Sequence, residues 1–145
     1  MFGGCFFLTT LKLKGRKLVG EGRVEGKALV TQQPISFFGG VNPKTGIIVE
    51  KNHELKGKCV KRKILVFPFG KGSSVGSYVL YAMATYGTAP LAIINQKTDT
   101  IIAVGCALAN IPLIDKLEKN PTKIIKTGDW IKIFPDGLVE VKKKN

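Results

Sequence analysis

The chain has 145 residues, 44% of them hydrophobic and 23% charged, with 23 Lys+Arg against 10 Asp+Glu and a formal net charge of +13. Such a length fits one domain with a sizeable core, and the composition excludes the disordered and fibrous classes. No apolar stretch reaches the roughly 18 residues that would read as membrane-spanning.

The opening "MFGGCFFLTTL" is apolar but short, with no basic start and no clear cleavage site, so it is not read as a signal peptide. Residues 1–12 read instead as an N-terminal extension or edge strand, or as a start site placed too early, with the real start near Leu11. "RKLVGEGRVEGKALVTQQ" alternates apolar and polar residues with glycine punctuation, which predicts strands joined by tight turns. "PISFFGGVNPKTGIIVE" holds a Gly-Gly turn and an Asn-Pro-x-x-Gly turn before a predicted short strand, "GIIVE". The continuous apolar run in "KRKILVFPF" predicts a strand buried on both faces. Val75 to Tyr86 is a predicted helix with Val75, Val79, Met83 and Tyr86 on its apolar side. "APLAIIN" is a second buried strand, and "TDTIIAVGCALAN" a helix capped by Thr98 or Asp99. "IPLI" returns to the core, and "DWIKIFPDGLVEVK" is a hairpin around Pro-Asp-Gly. The sum is a single mixed α/β domain over residues 1–145: a β-rich, barrel-like body with a few flanking helices and a basic tail at 143–145.

Cys5, Cys59 and Cys106 stand far apart with no C-x-x-C pair, which reads as buried, reduced thiols of a cytoplasmic protein rather than a complete metal site. The positive charge would attract nucleic acid, an anionic metabolite or an acidic partner surface. Its lysines cluster in "LKLKGRK", "KGKCVKRK" and "VKKKN" without interleaved aromatics, and no nucleic-acid module motif is present, so nucleic acid is the disfavoured partner. Lysine-rich faces also accompany adaptation to high temperature.

The stretch with most chemistry is "VFPFGKGSSVGSYVL", a strand, a glycine-rich turn and a helix. Free N–H groups and the dipole make such a helix mouth receptive to negative charge. It is not a P-loop: Lys71 is followed by Gly72, and no glycine lies at the required distance ahead of Gly70. It is not a dinucleotide fingerprint either, because Val75 stands at the third glycine position and no carboxylate ends the following strand at Ile94-Asn95. Two readings remain for Ser73 and Ser74. A hydroxyl there commonly caps the helix. Alternatively one serine gives up its proton and acts as a base, its oxygen held by N–H groups that Gly70 and Gly72 allow to converge. A Ser-His-Asp hydrolase is disfavoured, since His53 is the only histidine and no G-x-S-x-G is present.

"GKGSSVGS" resembles the G-x-G-S-S turn of the aconitase superfamily's swivelling domain, and "APLAIINQKTDTIIAVGCALANIP" its following strand, helix and proline-ended segment. The fuller similarity is to the small subunit of the aconitase X family. It runs through "GKALVT", "SFFGGV", "NPKTG", "HELKG" and "GKGSS", over residues 14–115. The resemblance implies an aconitase-like swivelling β/β/α domain and the small subunit of a heterodimeric hydro-lyase. In archaea, free-standing subunits of this kind belong to the enzyme that removes water from (R)-5-phosphomevalonate to give trans-anhydromevalonate 5-phosphate, in a variant mevalonate route to isoprenoids. The family pattern implies that the large subunit holds an iron–sulfur cluster of the four-iron, four-sulfur type, with this chain binding none alone. Its iron would act as a Lewis acid on the leaving hydroxyl while the small subunit's serine removes a proton next to the carboxylate.

Carried over residue by residue, the resemblance makes Ser73 the proton acceptor and Ser74 a cap or substrate contact. Aconitase and isopropylmalate isomerase follow the two serines with a carboxylate-gripping arginine; Val75 stands there in this chain, which argues against citrate or isopropylmalate. Lys71 and Gly72 are expected at the substrate, Lys71 as a point charge for phosphate or carboxylate. Ser36, Gly39 and Gly40 are weaker candidates to line the cleft, and "SFFGG" reads equally as a packed turn. His53 and Asn95 rank lower, His53 as a structural residue. The competing functions are another aconitase X dehydratase, of the hydroxyproline type, and a non-catalytic basic module that binds an anionic ligand or nucleic acid.

Overall fold

The structure, a computed structural model, describes residues 7–144. Its strands are β1 (Phe7–Lys14), β2 (Arg16–Val19), β3 (Val24–Val30), β4 (Ile35–Ser36), β5 (Ile64–Phe67), β6 (Gly70–Lys71), β7 (Ala92–Asn95), β8 (Leu113–Asp115), β9 (Trp130–Ile133) and β10 (Leu138–Lys144). The helices are α1 (Gly76–Tyr86), α2 (Thr100–Ala109) and α3 (Pro121–Ile124).

Eight strands form one mixed sheet in the order β1-β10-β9-β3-β5-β7-β8-β2, and β4 pairs with β6 in parallel beside it. β3, β5, β7 and β8 run parallel, while the β9–β10 hairpin and both end strands are antiparallel to their neighbours. The two end strands are consecutive in the chain, separated only by Gly15. One bent segment therefore pairs with β10 before the bend and β8 after it, curling the sheet into a half-barrel. The Gly15 N–H donates to Gly137 O at 2.9 Å. A Cβ at Gly15 would lie 2.4 Å from Leu117 Cδ2 and 2.9 Å from Asp115 O, so a side chain has no room at the corner.

The curl creates two cores. Inside the curl, Ile64, Val66, Ala92, Ile94 and Ile114 meet Ile131, Ile133, Val139 and Val141 of the hairpin. On the other face, Leu65, Phe67, Ile93 and Leu113 pack under Leu80 and Met83 of α1 and Ile102 and Cys106 of α2. Strand residues alternate between these faces, so β5 and β7 are buried at every position, as their unbroken apolar runs predict. Ile35, Phe37, Val41, Ile48 and Val60 extend the second core under the connection from β4 to β5.

Three local readings change. In α1 the buried side is Gly76, Ser77, Leu80 and Met83, whereas Val75 and Tyr86 are 44% and 54% exposed. The cause is close helix packing. A Cβ at Gly105 would come within 2.5 Å of Leu80 Cδ1 and 3.1 Å of Ser77 Cα, and Ser77 Oγ donates to Ile101 O at 2.8 Å. Glycine and serine make part of the contact face, so counting large apolar residues finds Val79 and Met83 but misplaces Val75 and Tyr86. "GIIVE" forms only the isolated bridges Val41↔Ile48 and Ile47↔Cys59, because turns on both sides leave no room for a ladder. α3 goes unpredicted, although Asn120 caps it by accepting the Thr122 N–H at 3.1 Å and Pro121 opens it. α2 forms as predicted, with Asp99 as its cap.

Residues 7–12 lie in β1, and residues 1–6 fall outside the described residues. Lys143 and Lys144 belong to β10 rather than to a tail; Lys143 Nζ donates to Asp129 Oδ2 and Ile124 O, both at 2.6 Å.

Candidate functional site

Pro68 ends the buried β5 segment, and the chain leaves the sheet through Phe69 into β6 and the turn that starts α1. Gly70 is buried there. A Cβ on it would meet Ile102 Cγ1 at 2.7 Å, and its N–H donates to Asp99 Oδ1 at 2.6 Å. Asp99 Oδ2 meanwhile accepts the Ile101 and Ile102 N–H groups at 3.0 and 3.4 Å. A single carboxylate thus caps α2 and anchors the serine turn to it. The Gly70 N–H is thereby spent on Asp99 and is not among those free to face a serine oxygen.

Gly72 has φ +85°, a conformation that side chains disfavour, and a Cβ there would lie 2.4 Å from Ser36 Oγ. The turn and the Ser36 loop are therefore in intimate contact. Ser73 and Ser74 follow, both exposed. Ser73 Oγ accepts the Val75 N–H at 3.1 Å, and Ser73 O accepts the Gly76 N–H at 2.9 Å. The N-cap position of α1 is Val75, which offers no side-chain cap, and the Ser73 hydroxyl caps the turn just ahead of it through the Val75 N–H. The N–H groups of Ser73 and Ser74 and the hydroxyl of Ser74 have no hydrogen-bond partner among the described residues. What the turn offers chemically is one exposed hydroxyl with a donor already on its oxygen, beside unused N–H groups near the positive end of α1. Ser74 lines an open cleft of about 370 Å³ with Ser77, Tyr78, Thr100, Ile101 and Val104.

Ser36 pairs in register with Lys71 across β4 and β6, and its hydroxyl donates to Phe38 O at 3.1 Å. Gly40 is buried, and a Cβ there would collide with Ser36 O, whereas Gly39 is exposed with open space around it. The structure thus brings Ser36, Lys71, Gly72 and Ser73 together, sets Gly40 beneath them as a packing residue and leaves Gly39 at the loop tip.

Lys71 is half-exposed, and its ammonium pairs with Glu50 Oε2 at 2.8 Å. Glu50 Oε1 accepts the Ser36 N–H at 3.1 Å. Burial pushes the Glu50 carboxyl up, but the Lys71 ammonium and the Ser36 N–H outweigh it and hold the group below the usual glutamate range. Both residues line an open pocket of about 270 Å³ with Gln33, Pro34, Lys51, Asn52 and His53. Sequence reasoning missed Glu50. Its only signal was the lone carboxylate that ends "GIIVE", one residue before a turn.

The two lesser candidates are structural. His53 is buried, with Nε2 on Pro34 O at 3.1 Å and Nδ1 accepting the Leu55 N–H at 3.0 Å. Asn95 is fully buried, donating to Phe67 O and accepting from Thr98 Oγ1. Among the described residues no three His, Cys, Asp or Glu come together as metal ligands. Cys106 is buried in α2 with its thiol pushed up by burial, and Cys59 Sγ lies on Thr45 O. Nor is any helix among the described residues long and apolar enough to cross a membrane.

Comparison with known proteins places this geometry in a family. The family model described as the aconitase X swivel domain matches residues 12–141, which carries the likeness past residue 115 through the β9–β10 hairpin. A phosphomevalonate dehydratase small subunit from Methanosarcina acetivorans is 50% identical over 137 residues, covering 94% of each chain. That of Archaeoglobus fulgidus is 51% identical over 126 residues, 86% of this chain and 95% of its own. The crystal structure of Thermococcus kodakaraensis aconitase X in its holo-form superposes with a TM-score of 0.85 at 45% identity, covering 90% of this chain and 98% of that one.

Proposed function

This chain belongs to the aconitase X swivel domain family, and from that premise we propose that it is the small subunit of a phosphomevalonate dehydratase and supplies the base of the reaction from Ser73. The observation that carries the reading is the exposed Gly72-Ser73-Ser74 turn, whose Ser73 oxygen accepts the Val75 N–H, in a chain with no cluster of His, Cys, Asp or Glu disposed to hold a metal among the described residues. It is half of a site. The substrate is (R)-5-phosphomevalonate and the product trans-anhydromevalonate 5-phosphate. Ser73, as the alkoxide, takes the proton from the carbon next to the substrate carboxylate, and the hydroxyl on the neighbouring carbon leaves as the double bond forms. The Val75 N–H and the start of α1 stabilise the negative oxygen.

The other half comes from a large subunit. The iron–sulfur cluster that the resemblance implies belongs there in this reading, since the described cysteines of this chain are not disposed to ligate it. Apolar side chains around the turn support a partner at this face: Phe38, Phe69, Val75 and Tyr78 are all exposed, on the segments that flank Ser73. Lys71 and Gly72 border the substrate, Lys71 as the charge for its phosphate or carboxylate once drawn from Glu50; Ser74, on the cleft along the other side of the turn, and Ser36, beside Gly72, are further contacts.

The test is dehydration of 5-phosphomevalonate by this chain co-expressed anaerobically with its large subunit, wild type beside Ser73→Ala. The expected result is a loss of about 10²–10⁴-fold in kcat, the scale of a removed general base, with the heterodimer and its cluster intact. Equal activity in both proteins removes Ser73 from the chemistry. A well-formed complex that ignores phosphomevalonate and dehydrates a hydroxyproline-type substrate reassigns the enzyme within the family.

A further inference from the structure

The geometry points to Glu50 as the positioning residue of the serine turn: its carboxylate ties the Ser36 backbone and the Lys71 ammonium together and so fixes Gly72 and Ser73 for proton transfer. This rests on the reading of Ser73 as the base. Ser36 and Lys71 are register partners in a two-stranded pair only two residues long on each side, too short to hold its alignment unaided. Glu50 spans the pair from outside, Oε1 on the Ser36 N–H at 3.1 Å and Oε2 on Lys71 Nζ at 2.8 Å. It is itself locked in place. Its own N–H and that of Val49 donate to Gly40 O, and its side chain is only 17% exposed.

The consequence reaches the base through one contact. Ser36 Oγ packs against Gly72 so closely that a Cβ would lie 2.4 Å from it, and Gly72 is bonded directly to Ser73. Moving β4 against β6 by a fraction of an ångström therefore moves Ser73. A bidentate carboxylate with one oxygen on a main-chain N–H and the other on an ammonium resists that movement in both senses. Glu50 need not touch substrate to matter, because its effect is on where the serine oxygen stands.

Glu50→Ala and Glu50→Gln are compared with wild type and Ser73→Ala in the heterodimer, with steady-state kinetics on 5-phosphomevalonate. Backbone amide exchange and chemical shifts of the full chain are measured in parallel. Glu50→Ala should lower kcat by about 10–10²-fold with KM little changed, the scale of a misplaced catalytic group. Glu50→Gln, which keeps an oxygen for one of the two donors, should fall between. In the free chain Glu50→Ala should speed exchange at Ser36 and shift the Gly72, Ser73 and Val75 resonances. A lower KM with unaltered kcat in both variants would overturn the proposal, because Glu50 would then merely compete with substrate for Lys71. Unmoved turn resonances would overturn it as well. Should Glu50→Ala fold poorly, unaltered kcat and unaltered Ser36 exchange in the near-isosteric Glu50→Gln have the same meaning. If Ser73→Ala is as active as wild type, the function proposed above fails, and the exchange data alone decide whether Glu50 holds the turn.

Discussion

Replacing Gly72 by alanine tests whether the serine turn is held in a conformation that only glycine accepts cheaply. Two effects contribute. Holding an L residue at φ +85° costs about 1–2 kcal/mol. The new Cβ also lands 2.4 Å from Ser36 Oγ, so Ser36 must rotate and give up its hydrogen bond to Phe38 O, worth about 1 kcal/mol. Gly72→Ala should therefore lower stability by about 2–3 kcal/mol, a large share of the roughly 5–15 kcal/mol of an ordinary domain. The two parts separate in a double-mutant cycle, since Ser36→Ala removes the obstructing oxygen. In that background Gly72→Ala should cost only the backbone part, leaving a coupling of about 1 kcal/mol. Urea denaturation of the four proteins reads both numbers from their midpoints. A Gly72→Ala cost well under 1 kcal/mol would refute the backbone argument, and a vanishing coupling would refute the contact with Ser36.

Other consequences follow from buried charge and close packing. Asp115 is fully buried against Arg16, with two hydrogen bonds at 2.9 and 3.0 Å and a third from the Thr98 N–H. Burial pushes its carboxyl up, but Arg16 and Thr98 hold it below the usual range, so its stabilisation is full above the unfolded value of about 3.9 and is lost as pH falls through the lower folded value. Arg16→Met should cost about 3 kcal/mol at neutral pH, the low end for breaking a buried pair because Arg16 is half-exposed, and the deficit should shrink in urea titrations run below about pH 4. Asp99→Ala removes the α2 cap and strands the buried Gly70 N–H, for about 2–3 kcal/mol, while Asp99→Asn, which keeps an oxygen for only one of the two sets of donors, should fall between in the same assay. Gly105→Ala should lower the thermal midpoint, its crowding against Leu80 exceeding the roughly 1 kcal/mol gained in helix propensity. Cys106, buried with a raised thiol, should resist alkylation until the chain unfolds, as peptide mass spectrometry would show; early modification would contradict its placement.

The elements whose signals are local were legible in the chain itself. The unbroken apolar runs at Ile64–Phe67 and Ala92–Asn95 predict strands buried on both faces, Asp99 predicts the start of α2, and Pro-Asp-Gly predicts the hairpin. The G-K-G-S-S motif singled out the serine turn, as a glycine-rich strand-to-helix turn and by its resemblance to the aconitase swivelling-domain turn. Neighbours across the fold were not legible. That Gly70 is pressed by Ile102 and Asp99 and gives its N–H to Asp99 depends on a residue 29 positions away. That α1 buries Gly76 and Ser77 rather than Val75 depends on Gly105 in the next helix.

Glu50 is the clearest case of the difference. In the sequence it is one acidic residue at the end of an apolar stretch, with no period, spacing or partner to mark it. In the fold it accepts from Ser36 and pairs with Lys71, the two residues beside the serine turn. The chain by itself determined which segments are apolar on one face or both, where glycine and proline interrupt them and which turn carries two adjacent hydroxyls, since these are properties of neighbouring residues. Only the tertiary structure decided how the sheet curls through Gly15, which N–H groups stay free and which charges meet. Those depend on distances between residues far apart in the chain, which are set only when the whole core closes.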